Sequence, residues 1–560
     1  MKRDLNQLAN TEFDILIIGA GIYGATAAWE AASRGYSVAL IDKDDFGSRT
    51  SANSLKTIHG GLRYLQTLDI KRYFESVRER KILMRIAPHL VQPLPVVMPT
   101  YGHAMKGREI LWAGLFLNDI LSLHRNTGLD RSSRIPNGRV CGKGTCMRLL
   151  PGIVTDGVTG CASWTDAQVY SSERMTLAFI HSACNQGAAA ANYVACIGFR
   201  KNPDQILAVH ARDELTGETL EIQAKCILNM TGGWVDHVLA MDGMASKKSI
   251  VQLSTAMNLV VKKELLPQIS AGLRGRFENV LPNGSVYHGS RVLFVASWRT
   301  YTIIGTFHRP YGGHPNEMHV SEEEIQSAIR EFNGAYPGSP IQREDIGLVH
   351  KGFLPMDSIH SRTGEVNLTP HYTIRDHKNE GGPINLISVA GVKYTTARDV
   401  SQKAINLAGR KLKKKGGSSQ TAVTPIYGGD IYDLKASLQD MVRVAPKGMD
   451  ETVLRHLVRC YGNAHKEILS LTDAQLDWRE KIAGSDEVIQ AEIVHAVRHE
   501  MAQNLADVVL RRTDLGSGAR PSDATLKSCA GIMGSELGWD SRRIRDEIQK
   551  VKEFYKPFEA

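Results

Sequence analysis

No stretch of this 560-residue chain approaches the roughly 18 consecutive apolar residues that a helical membrane span needs. The polar start Met1-Lys2-Arg3-Asp4-Leu5-Asn6-Gln7 has no signal-peptide core, so a cytoplasmic location is expected. Cysteine is sparse: of eight, only Cys141 and Cys146 lie close, with no second pair or nearby histidines, which argues for reduced thiols and against a metal site or a disulfide scaffold. The metalloprotease order His-Glu-x-x-His is absent too. Glu492, His495 and His499 share one face of a helix expected from about 486 to 512, but they read as helix-surface groups rather than ligands. Disorder is excluded by 42% hydrophobic and 23% charged residues. What the chain has in excess is positive charge, +9 net, which favours acidic partners such as phosphorylated substrates, nucleic acid or an anionic membrane surface.

At 560 residues two or three domains are expected. The first informative element is the apolar run Phe13 to Ile18 followed by Gly19-Ala20-Gly21-Ile22-Tyr23-Gly24, with Asp42 closing the next strand, Val38 to Ile41. This is a dinucleotide grip: Gly19 permits the tight exit from the strand, Gly21 lets backbone approach a pyrophosphate, and Gly24 lets the helix pack closely. The helix N-terminus favours the anion, and Asp42 suits ribose hydroxyls and disfavours a 2′-phosphate. A polar loop, 44–54, then leads into Lys56-Thr57-Ile58-His59-Gly60-Gly61-Leu62-Arg63-Tyr64-Leu65. A helical stretch with Tyr73, Val77 and Ile82-Leu83 follows, and the prolines between 88 and 99 interrupt it. From 194 to 227 the pattern is strand-like and ends in Thr231-Gly232-Gly233-Trp234; between 250 and 306 short β-rich runs suggest an antiparallel sheet over a substrate site. The strand 384–390 runs into Gly391-Val392-Lys393-Tyr394-Thr395-Thr396 and a helix start, which repeats the anion-binding logic. Lys411 to Ser419 reads as an exposed linker, and beyond it the period is helical, with Asp450 as a cap.

The glycine turn with Asp42, the block 51–65, Ala87-Pro88-His89-Leu90, Thr231-Gly232-Gly233-Trp234-Val235 and the 390–396 segment together resemble FAD-dependent glycerol-3-phosphate dehydrogenases, DAO-type flavoprotein oxidoreductases. The C-terminal Tyr461-Gly462-Asn463 and 498–513 are similar to the same family's cap. The resemblance implies an α/β fold: a Rossmann-like FAD-binding domain, an antiparallel-sheet substrate domain and a C-terminal all-α cap domain. The expected division is 1–410 for the first two, with cofactor segments 12–90, 150–250 and 380–410 interleaved with substrate segments 91–149 and 251–379, then a linker 411–424 and helices over 425–560. Non-nicotinamide, FAD chemistry follows, with Gly19, Gly21, Ile22, Tyr23, Gly24, Asp42, Ser51, Ser54, His59, Gly60, Gly61, Leu62, Val194, Gly232, Trp234, Gly391, Val392, Lys393 and Thr395 expected along the cofactor. In such relatives the Gly-x-Lys-x-Thr helix points its N-terminus at the isoalloxazine, where it stabilises reduced-flavin charge.

The resemblance breaks in the substrate pocket. A phosphate-binding arginine of relatives is Leu354 here, a second falls at Pro370, the Gly-Thr-Thr-Asp motif becomes Gly305-Thr306-Phe307-His308, and an expected histidine is Asn258. Two lost charge-assisted contacts, each about 1.5–3 kcal/mol, would weaken dianion binding. Either Lys351, His308, His371 or Arg375 rebuild an anion site for a polyol phosphate, or the enzyme oxidises an unphosphorylated alcohol, sugar or amine oriented by Arg63, Tyr64 and Lys393. The expected chemistry is oxidation of a CH–OH group by hydride transfer to flavin N5. Arg63 or Lys393 polarises the developing carbonyl, Tyr64 helps orient the substrate, and His308 serves as base. Electrons then pass to quinone at a membrane face or to oxygen, which fits peripheral association with the inner face of a membrane. Neither a nucleic-acid partner nor a metal is expected, and a homodimer is compatible with the reading. A non-catalytic flavin-binding interaction protein is the alternative of a different class.

Overall fold

The structure is a computed structural model that describes residues 1–102, 108–241, 243, 249–280, 284–414, 416–444 and 449–558. It is α/β, with two large sheets and a helical C-terminal part.

The first sheet has eight strands. Its spine runs Thr373–Asp376, Leu386–Ala390, Thr219–Asn229, Glu12–Ile18, Val38–Ile41 and Ala189–Ala191. The central strands are parallel, and Phe13 to Ile18 is buried without alternation, as expected of a strand covered on both faces. The helix Ile22–Ser33 lies between Ser172–Asn185 and Ala397–Leu412. Its buried Ala25, Ala27, Ala28, Ala31 and Ala32 keep the approach close, Trp29 meets Phe179 at 5.5 Å, and Thr26 Oγ1 bonds Ser401 Oγ at 2.8 Å. This arrangement fixes the turn that opens the helix against the ends of three parallel strands.

The second sheet has ten strands and is mostly antiparallel, with Gln252–Val261, Tyr301–Tyr311 and Ile346–Ile359 as its broad centre. Two segments fall differently from the expected division. Val158–Val169, expected among the cofactor segments, pairs along Val91–Tyr101 in this sheet, while Thr373–Asp376, expected in the substrate segment, is an edge strand of the first. The helix Ile70–Ile86 ends just before Pro88, as expected, and Pro93, Pro95 and Pro99 then lie inside the strand Val91–Tyr101. All three occupy odd positions, so their missing N–H groups share one edge, where only Val96 and Val97 pair with the next strand.

Seven of the thirteen described residues of 411–424 are exposed, yet the stretch is tied to the first sheet and its helix. Lys411 meets Asp376 and Ile384 O, Lys414 meets Asp14, and Thr421 is fully buried with its hydroxyl on Glu30. Lys415 lies outside the described residues. The local composition suggested solvent, but acidic side chains from the first sheet neutralise the lysines.

Beyond it the chain is helical, and its helices share a core with the second sheet through Val508, Leu526, Met533 and Tyr555 on one side and Trp298, Ile346 and Leu348 on the other. Asp450 caps Glu451–Tyr461 as expected, accepting from Thr452 N. The helix expected over 486–512 is broken. Gln490–Glu500 ends at Met501, whose φ is +56°, and the chain restarts where Asp507 accepts from Gln503 N and Asn504 N. A wide turn over Val508–Arg512 then delivers Arg511 and Arg512 to the buried Asp45.

Candidate functional site

The first glycine turn is shaped by contacts that only glycine tolerates. Gly19 has φ +100°, and a Cβ there would stand 2.8 Å from Met230 O; a Cβ on Gly24 would meet Gly19 O at 1.8 Å. Gly21 precedes the helix, Ile22 N donates to Ser51 Oγ at 2.9 Å, and Ser48 Oγ is buried without a partner. Asp42 accepts from Ala20 N (2.6 Å) and Asp44 N (2.9 Å), while Val194 N donates to Asp42 O (2.7 Å). Burial and the neighbouring Asp44 push the Asp42 carboxyl up to about 7. A strand-to-helix turn with no side chain on its floor, an orphaned hydroxyl and an acid at the adjacent strand end fit an adenine dinucleotide. Gly232 (φ +58°) and Trp234 lie at the next strand end, where Lys43 and Arg49 stack on the indole and Trp234 Nε1 donates to Asn316 Oδ1.

Tyr23 joins this turn to the distant third motif. Its hydroxyl donates to Lys393 O (2.7 Å) and accepts from Lys393 N (3.2 Å), and its ring fills the space where Gly391 would carry a Cβ. Tyr23 is therefore committed to holding 391–393. The helix after this loop begins at Ala397, later than the motif suggested, with Val392 and Lys393 on the loop and Thr395 buried behind them. Lys393 Nζ stands 3.9 Å from the centre of the Tyr64 ring, whose surroundings also include Arg72, 4.2 Å away. Burial, reinforced by Arg72, brings the Lys393 amine down to about 7.

The His59-Gly60-Gly61 segment depends on a residue that the motif did not indicate. Asp166 accepts from Gly60 N (2.7 Å), meets His59 Nδ1 (3.1 Å) and binds Arg80 (3.0 Å). Burial alone would raise this carboxyl, but His59 and Arg80 hold it at about 2. Arg80 lies where a Gly60 side chain would be, and Gly61, with φ +87°, opens the short helix Leu62–Gln66. Ser54 Oγ accepts from Lys56 N, and Ser54 O meets His350. No sequence spacing links Asp166 to His59.

Among the expected substrate residues, Tyr64 and Lys393 converge, His371 joins them through Asp69, which also binds Arg72, and Arg63 enters through its charge, which reaches Tyr64 and His308. His308 stands in the field of Arg291 and Arg63; burial, then these cations, push its imidazole down to about 4, and its Nδ1 is buried without a partner. Three candidates are engaged elsewhere. Lys351 Nζ reaches Met318 O (3.3 Å), Arg375 pairs with Glu380 on an edge strand, and Asn258 Oδ1 is taken by Thr306 Oγ1 (2.9 Å).

Comparison with known proteins identifies the frame. Residues 14–381 match the family described as FAD dependent oxidoreductase, and 419–544 match the C-terminal domain of alpha-glycerophosphate oxidase. The chain is 30% identical to a glycerol-3-phosphate dehydrogenase of Synechocystis sp., over 99% of this chain and 98% of that one. It is also 30% identical to the mitochondrial glycerol-3-phosphate dehydrogenase of Homo sapiens, over 98% of this chain and 74% of the relative. The solved glycerol-3-phosphate dehydrogenase of Bacillus halodurans, complexed with FAD, shares the fold with a TM-score of 0.74 at 20% identity, covering 99% of this chain and 96% of that one.

Proposed function

The chain belongs to the FAD-dependent oxidoreductases, in their glycerol-3-phosphate dehydrogenase family, and on that premise we propose that it oxidises the secondary alcohol of a small polyol phosphate. FAD, when bound, supplies the hydride acceptor. Gly19, Gly21, Gly24, Asp42 and Ser51 hold its phosphates and ribose, and the 59–62 and 391–395 segments hold its redox end. Lys393 and Arg63 draw charge onto the carbonyl oxygen as it forms, and Tyr64 keeps the Lys393 amine in place. His308 takes the hydroxyl proton.

The observation that carries the phosphate is the placement of that histidine. Burial first, and then the charges of Arg291 and Arg63, hold this imidazole down at about 4, and a bound dianion offsets the part that the cations cause and makes the ring a better proton acceptor. A neutral alcohol gives no such relief. Anaerobic mixing with glycerol 3-phosphate, glycerol, longer polyols and amino alcohols, followed by flavin bleaching, tests this. Bleaching by the phosphate ester alone supports the assignment. Bleaching confined to uncharged alcohols or amines replaces the substrate class, and bleaching by none removes the dehydrogenase reading.

The electron acceptor we propose is a membrane quinone. No described helix is long and apolar enough to cross a membrane, but Leu68 and Phe74, beside Arg108–Leu121 with its exposed Trp112, Phe116 and Leu117, form an outward apolar face. Lys71 and Lys81 lie on the adjoining helix Ile70–Ile86, where Arg78 is paired with Asp399 and Glu79, so the face suits an anionic bilayer surface. Cosedimentation with phosphatidylglycerol vesicles, abolished by Trp112→Glu and Phe116→Glu together, is the expected result. Equal sedimentation of the double variant would leave oxygen as the better acceptor.

A further inference from the structure

The helix Glu451–Tyr461 places His456 and Cys460 one turn apart, both buried, facing Asp514 from the segment after the wide turn. His456 Nδ1 lies 3.6 Å from Asp514 Oδ2 and 3.7 Å from Cys460 Sγ, and Sγ is 3.7 Å from the same Oδ2. Glu487 Oε2, on a half-exposed side chain, adds a fourth atom 3.5 Å from Nδ1. We propose that these four side chains form a binding site for a divalent, thiolate-tolerant cation of the Zn²⁺ type, which fastens the C-terminal helices to the oxidoreductase body.

Nδ1 has no single close acceptor and instead faces three ligand-type atoms at nearly equal range, 3.5–3.7 Å. With metal bonds of about 2.0–2.3 Å at the tetrahedral angle, the edges between ligand atoms are about 3.3–3.6 Å. The observed edges are close to those values, so small side-chain adjustments bring the atoms onto one ion. The surrounding groups orient the ligands as metal sites require. His456 Nε2 meets the buried Glu492 carboxylate at 3.0 Å, which leaves Nδ1 for the ion. The other Asp514 oxygen is held by Arg299 at 2.6 Å, and Tyr170 donates to Oδ2 at 2.6 Å.

Tyr170 and Arg299 belong to the region of the second sheet, whereas His456, Cys460 and Glu487 belong to the C-terminal helices. An ion at this point therefore ties the two together through Asp514. On binding, Cys460 Sγ gives up its proton to become a thiolate, Nδ1 binds through its free electron pair, and the displaced proton passes to solvent past Glu487. The sequence expectation of no metal rested on short spacings. Here the third ligand lies 54 residues after the second.

The test uses full-length flavoprotein prepared without a metal-binding tag. Zinc should be present at about one equivalent per chain by mass spectrometry, and Co²⁺ exchanged for it should show the thiolate-to-cobalt charge-transfer band of a tetrahedral site. Cys460→Ser should lose that band and weaken Zn²⁺ binding at least about tenfold, and Glu487→Gln should weaken it while the band remains. Flavin content and far-ultraviolet circular dichroism report folding, and if Cys460→Ser does not fold, the wild-type cobalt spectrum and Glu487→Gln still decide. Absence of stoichiometric uptake at micromolar free Zn²⁺ overturns the proposal, as does a charge-transfer band that survives in folded Cys460→Ser.

Discussion

Replacing Gly391 by alanine isolates the contact that joins the two ends of the cofactor site. The added Cβ would fall 1.9 Å from Tyr23 Cζ and 2.1 Å from Cε2, against a normal carbon–carbon separation of about 3.5–4.0 Å. Loop or ring must therefore move by about 1.6 Å. Tyr23 cannot yield freely, because its hydroxyl is bonded twice to the Lys393 backbone. Overpacking costs about 1–3 kcal/mol, and two strained hydrogen bonds add about 0.5–1.5 kcal/mol each, for a sum of roughly 2–6 kcal/mol. The apoprotein can relax by displacing 391–393, so the cost falls on the FAD-bound form, in which that loop must be in place. FAD affinity, measured by fluorescence titration of the apoprotein, should fall at least about 30-fold. In a Tyr23→Ala background the same glycine substitution should cost at least about 2 kcal/mol less, since the obstructing ring is gone. Unchanged FAD affinity in Gly391→Ala, or an equal penalty in both backgrounds, would refute the contact.

Four further outcomes follow from the same geometry. Lys393 is charged below about 7 and neutral above it, so kcat/KM should decline as pH rises through 7; Lys393→Gln should lower kcat/KM about 10²- to 10³-fold and abolish that limb, and a retained limb would assign it to another group. Asp166→Asn leaves the buried Arg80 without its carboxylate and should cost about 3–5 kcal/mol in denaturant unfolding. The Asp166 carboxyl is held at about 2 against an ordinary 3.8, so its contribution is complete above 3.8 and lost as pH falls through 2; the variant should lose stability less steeply across that window, and parallel acid curves would count against the pairing. His308→Gln should reduce kcat about 10²- to 10⁴-fold with KM nearly unchanged, and a kcat within threefold of wild type would remove its role as base. Leu354→Arg should lower the KM for glycerol 3-phosphate about tenfold, whereas no change would show that this position does not face the phosphate.

The parts legible in the sequence are those whose cause is local. Gly19 and Gly24 are required by backbone within the same βα turn or directly beside it, and the apolar strands 12–18 and 386–390 announce themselves because both their faces are buried. Asp166 was not legible, since the carboxylate that steadies His59 and Gly60 comes from the middle of a strand 107 residues away. Nothing in the order of residues says that Tyr23 closes on Gly391, or that Thr50 Oγ1 receives Phe353 N across the two sheets. The basic stretch after Arg410 was legible only in part: composition reports the exposed charge, and only the folded chain shows that Asp376, Asp14 and Glu30 tie it down.

The altered pocket gains meaning from adjacency. Leu354 and Pro370, expected from the resemblance to stand where relatives carry arginines, belong to segments joined by the bond from Thr369 N to Pro355 O, so the two positions are neighbours. One step further along the chain, His371 is turned towards Asp69, and Asp69 leads through Arg72 to Tyr64 and Lys393. The basic groups near the site are Arg63, Lys393, Arg72, which is paired with Asp69, and Arg291, which is paired with Glu331. A dianionic substrate binding here would lie closer to the groups proposed to take its proton and polarise its oxygen. The bound phosphate would then relieve the part of the His308 shift that Arg291 and Arg63 cause, while burial keeps the rest, and recognition would be coupled to proton removal to that extent.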